Sequence, residues 1–172
     1  MLMKSIQIIT ITFAVTSACH AEEARVPNPI ELEVLKASLG VWDAEIEVWP
    51  AGGDAEPVRG TGVETNRAYG EHWIASDFDS DFGGQKVHVH SIVGYDLDEA
   101  KLVGTVIDHG PYAAKMTGEY DVDSNSVHWT TKVKDPSGKP IVQKTLVTQK
   151  SPTERVLTLS VPGKDADEFI KC

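Results

Sequence analysis

Asp77, Asp79, His88 and His90 come nearest, by type and spacing, to residues that could do chemistry in this 172-residue chain. They alternate in Asp77-Phe78-Asp79 and His88-Val89-His90. Alternate residues of a strand point the same way, and cross-strand neighbours lie about 5 Å apart, so a hairpin of these segments gathers two carboxylates and two imidazoles on one surface. Such a surface could hold a divalent transition metal. No HExxH or paired CxxC spacing accompanies it, and outward Asp–His pairs are ordinary cross-strand partners. The expectation is a solvated charge ladder, dispensable for folding, that binds divalent metal only weakly.

Other chemistries have less support. The chain has no GxSxG elbow, no P-loop and no GxGxxG opening a helix. His109, in Asp108-His109-Gly110-Pro111-Tyr112, reads as an exposed turn residue rather than a general base. His72 or His109 could serve a haem as axial ligand, but a lone histidine is a weak signal for one. No catalytic residue is assigned.

The elements that must position these groups are strands. From Val41 onward the apolar period is two, and turn residues divide the chain into nine expected strands: 41–49, 59–69, 72–82, 85–95, 101–109, 112–121, 126–134, 141–149 and 154–161. Gly83-Gly84 is a two-residue hairpin loop that accepts positive φ. Pairing Phe82 with Gln85 then sets Phe78 against Val89, Ile74 against Val93 and His72 against Tyr95. The opposite surface pairs Asp81 with Lys86, Asp79 with His88 and Asp77 with His90. Each face is chemically consistent, and a slip of one residue would exchange them. Ahead of the strands, Ile30 to Leu39 places Ile30, Val34, Leu35 and Leu39 on one helical face, with Gly40 able to end the helix.

Tyr95-Asp96-Leu97-Asp98 and Tyr120-Asp121-Val122-Asp123 repeat one pattern. Neither is a calcium loop, which needs glycine at its sixth position and glutamate at its twelfth. Counted from the first aspartate, those positions hold Lys101 and Ile107, then Ser126 and Lys132. Asp side chains bond nearby backbone in tight turns, so the repeat reads as one hairpin turn used twice.

The first 21 residues read as a signal peptide: Lys4, an apolar run over Ile6 to Val15, and small residues over Thr16 to Ala21. Export to the periplasm or the outside is expected, with the mature chain starting at Glu22. Thr16-Ser17-Ala18-Cys19 also resembles a bacterial lipobox, and only lipidation at Cys19 would give the chain a membrane partner. Residues 22–29 form a linker and 30–172 a single domain; a domain of about 150 residues buries roughly 68 to 70% of its unfolded surface, enough to need no staple. Without residues 1–21 the only thiol is Cys172, so no internal disulfide forms. With Lys4 gone, 15 basic residues stand against 26 acidic ones and the charge moves from −10 to −11. An acidic surface without a basic cluster argues against nucleic acid as a partner and against electrostatic attraction to anionic lipid.

Gly40-Val41-Trp42 entering the first strand resembles the Gly-x-Trp entry of calycin, or lipocalin-like, barrels. Val93-Gly94-Tyr95-Asp96, followed by Gly118-Glu119-Tyr120-Asp121, resembles an uncharacterised bacterial family, the domain of unknown function 1579 family. The resemblance spans roughly residues 30 to 161. It implies an all-β, antiparallel, up-and-down calycin barrel of about nine to ten strands with one short N-terminal helix, and it brings no reaction, cofactor or catalytic residue. Calycins usually pack an arginine of the last strand over the entry tryptophan. This chain has none after Arg155, so a short or incomplete closing strand is expected.

In such a barrel the alternation turns Trp42, Ile74, Phe78, Val89, Val93, Tyr95, Val106, Met116, Tyr120 and Trp129 inward, with His72 and Asp108 as polar exceptions. Gly104 opposite Val93, and Gly118 opposite Trp129, leave room beside large residues. Barrels of this size enclose either packed side chains or one small ligand. The expected partner is a small, mostly apolar molecule contacted by His72, Phe78, Val93, Tyr95, Met116, Tyr120 and Trp129. A metal- or haem-dependent enzyme and a filled structural barrel are the alternatives.

Overall fold

Strand-forming alternation from Gly40 onward becomes a single antiparallel sheet in which each strand pairs with the next. The computed structural model describes residues 29–48, 56–82, 84–134, 137–160 and 170–171. The expected signal peptide, the Glu22 and Cys19 starts, most of the linker, Gly83 and Cys172 lie outside the described residues. A short helix α1 (Ile30–Lys36) precedes β1 (Gly40–Val48), β2 (Val58–Tyr69), β3 (Trp73–Phe82), β4 (Gln85–Asp96) and β5 (Lys101–Ile107). There follow β6 (Ala113–Asp121), β7 (Ser126–Lys134), β8 (Pro140–Ser151), β9 (Glu154–Ser160) and a two-residue β10 (Ile170–Lys171).

The nine long strands form a strongly curled, up-and-down half-barrel, and β10 bridges its first and last strands to complete the ring. The bridge is narrow. Ile170 and Lys171 face Val48 and Glu47 on one side and Leu159 and Thr158 on the other. Among the described residues, Gly40 to Ile46 have no ladder partner on that side of β1.

A second tie crosses the seam nearer the helix. Arg155 of β9 donates to Glu64 of β2, and its guanidinium carbon stands 4.6 Å from the centre of the Trp42 ring on β1. The short closing strand is the expected one, since β10 has two residues, and Arg155, the last arginine of the chain, itself covers the entry tryptophan. The arginine sits on β9 because β10 is only a stitch.

The register of the central hairpin is the expected one: Phe82 faces Gln85, Phe78 faces Val89, Ile74 faces Val93, Asp79 faces His88 and Asp77 faces His90. Both repeated turns use the same device. Asp96 Oδ1 accepts from the backbone N–H groups of Asp98 and Glu99, at 2.9 and 3.0 Å, and Asp121 Oδ1 accepts from that of Asp123 at 3.0 Å. Ala100 and Asn125, at matching positions, take φ of 50° and 49°.

The helix departs from its expected face. It ends at Lys36, and its buried residues are Leu32 and Leu35, whereas Ile30 and Leu39 are exposed. Two turns are too short for periodicity alone to choose between adjacent faces, and docking on the barrel end decides. Gly40 does not cap the helix; it opens β1 at φ +118°, a conformation costly for any residue with a Cβ.

Leu35 packs on Ile74, Leu102, Val127 and Trp129, with Val34, Val93, Tyr95, Met116, Tyr120 and Val147 against their edges. This cluster is the floor of the barrel, at the end where β4 turns into β5 and β6 into β7.

Candidate functional site

The inward face is fixed by following rows across the sheet. Trp42, Glu64, Phe78 and Val89 form one row, and Ala44, Gly62, Ser80 and Val87 the next, away from the helix. Two residues along a strand advance about 7 Å, so the second row lies one such step from the floor side.

Of the expected ligand contacts, Trp129 is buried in the floor, and Val93, Tyr95, Met116 and Tyr120 pack half-buried against it. Phe78 stands two steps from Ile74 toward the other end and is also half-buried. The Tyr120 hydroxyl is already committed, donating to Asn125 Oδ1 at 3.0 Å. His72 lies just ahead of β3, tied by its carbonyl to the Tyr95 N–H at 3.3 Å, and its buried Nδ1 has no partner among the described residues. Asp108 is not an inward exception: it is exposed in the β5–β6 turn, where its Oδ1 accepts from the Gly110 N–H at 2.6 Å.

The glycines also differ from expectation. A Cβ on Gly118 would come within 2.8 Å of the Trp129 ring and 3.1 Å of Leu102, and one on Gly104 within 2.8 Å of Val93. The space these glycines leave is occupied by their neighbours, so the floor is packed.

Sequence reasoning passed over the polar centre of the inward face. Ser76 donates to Glu64 Oε1 at 3.0 Å while Arg155 holds Oε2. The side chains of Arg155 and Glu64 are 15% and 22% exposed. Ser80, buried at 8% exposure, has an Oγ with no partner among the described residues. The signal for Ser80 was available, since Asp79 and Asp81 outward turn Ser80 inward. The signal for Arg155 was not, because it depends on strands from opposite ends of the chain meeting.

The Asp–His ladder lies on the outer face and is resolved into pairs. His88 Nδ1 donates to Asp79 Oδ1 and His90 Nδ1 to Asp77 Oδ1, both at 2.7 Å, and Arg67 reaches Asp77 Oδ2 at 2.7 Å. The hydrogen bond from His90, aided by the charges of His90, Arg67 and His88, holds the Asp77 carboxyl below its ordinary value against desolvation. Among the described residues no group of three or more His, Cys, Asp or Glu side chains is arranged to hold a metal ion. His109 is exposed and borders a shallow outer trough shared with His88, Asp79 and Lys86.

Fold and site together define an antiparallel, strongly curled barrel with a packed floor and a mixed inner wall. Residues 30–171 match the family described as protein of unknown function (DUF1579), and the chain belongs to that family. No curated protein matches it.

Proposed function

We propose that this is an exported binding protein whose barrel interior takes a small, mostly apolar molecule with one hydrogen-bonding end. The observation that carries the reading is a pair of buried polar atoms, His72 Nδ1 and Ser80 Oγ, without partners among the described residues. Buried polar groups are almost always hydrogen-bonded, so each orphan is a place that a bound molecule could complete. The row between them supports an apolar body for that molecule, since Phe78 and Val89 are only half-buried and Val93 and Met116 join them from the floor. Export rests on the composition of residues 1–21, and places binding in the periplasm or outside the cell.

Native mass spectrometry of protein from the exported fraction tests both halves. A chain beginning at Glu22, or at a lipidated Cys19, with a small non-covalent passenger is expected; retention of Met1 would end the export reading. Val89→Trp, which fills the inner wall, should abolish binding of an apolar fluorescent probe. Probe binding that persists in this variant would place the site elsewhere.

A further inference from the structure

The charge of the ligand follows from the inner wall, if that wall is the binding site proposed above. We infer that the interior selects neutral amphiphiles, whose polar end is an alcohol, amide or ester, over carboxylates of the same length. Following the rows of the sheet, Glu64 and Arg155 are the only Asp, Glu, Lys or Arg side chains facing inward on β1 to β9 among the described residues. They cancel. Arg155 is held by Glu64 and lies over Trp42, and the second oxygen of Glu64 accepts from Ser76. A carboxylate entering this wall therefore finds its natural partner already taken.

Among the described strand residues, the fully buried side-chain polar atom without a partner is a hydroxyl. Ser80 Oγ is buried, has no partner, and sits between Gly62 and Val87 in the row beyond Phe78 and Val89. A hydroxyl both donates and accepts, so it matches an alcohol, an amide or an ester carbonyl. It offers no charge. An ionised carboxylate drawn out of water to one hydroxyl loses far more hydration than that bond returns, whereas a neutral group loses little.

The test is displacement of an apolar fluorescent probe by dodecanol and by dodecanoate at neutral pH, on the full exported chain. Dodecanol should displace the probe at a concentration about tenfold or more below that of dodecanoate, the factor expected when an ion is buried unpaired. Glu64→Gln removes the competitor for Arg155 and should improve dodecanoate about tenfold, as a charge-assisted bond forms. Ser80→Ala should weaken dodecanol about fivefold, the value of one hydrogen bond.

Equal displacement by the two compounds would overturn neutral selection and leave the binding reading standing. Displacement by neither would overturn both. A folded Glu64→Gln protein with no gain for dodecanoate would show that Arg155 is not the withheld partner. If Glu64→Gln does not fold, an unchanged dodecanol affinity in Ser80→Ala still refutes the assignment.

Discussion

At the helical end the Trp129 ring lies so close over Gly118 that a Cβ there would come within 2.8 Å of it, and Leu35 seals the cluster from outside. Toward the other end, β3 and β4 turn Phe78, Ser80, Val87 and Val89 inward, and of these only Ser80 is buried. The same sheet thus provides a buried floor and a half-buried wall, the wall being tight where the Phe78 ring would come within 2.9 Å of a Cβ on Gly62. Burial is deepest where the helix docks.

Truncations at the two ends should separate this most widely. Trp129→Ala should cost about 3–5 kcal/mol in urea unfolding, because it removes the ring that fills the floor, whereas Val89→Ala should cost about 1 kcal/mol. Similar losses at both sites would erase the distinction. The seam comes next. Arg155→Ala strips Glu64 of its charged partner and uncovers Trp42, and should cost about 2 kcal/mol, with a smaller further loss when Glu64→Gln is added than Glu64→Gln causes alone.

The outer face should respond least, and only to acid. A carboxyl whose folded value is depressed adds stability above its unfolded value and loses it as the pH falls through the folded one. Asp77 should therefore contribute fully above its ordinary value of 3.8 and progressively less below it. Asp77→Asn should flatten the acid limb of the stability curve without changing probe binding near neutrality; a loss of probe binding would tie the ladder to the interior.

Much of this was legible because it is local. The pairing of Phe82 with Gln85 fixed two opposite faces at once, and the doubled Asp turn was readable from its side-chain chemistry, although the equivalent αL residues at Ala100 and Asn125 were seen only in the fold. The helix face was not, since two turns admit neighbouring registers until Leu32 and Leu35 find the barrel. Nor was the filling of the space at Gly118 and Gly104: alternation says which way a side chain points, not which ring occupies the gap. Arg155 over Trp42 escaped for a third reason, being a contact made only when the sheet curls round on itself.

The two-residue β10 has a consequence for solubility. Beyond Glu47 and Val48 the β1 backbone shows no ladder partner on its β9 side among the described residues, and a border of that kind is a template on which a second chain could add a strand. Asp43, Glu45 and Glu47 alternate along that strand, and Asp43 and Glu45 are exposed. Two copies meeting through this border would set rows of carboxylates side by side, and like charges directly opposite one another are unfavourable. The acidic alternation of β1 acts as a gatekeeper against strand-to-strand aggregation at the place where the barrel is least completely sewn.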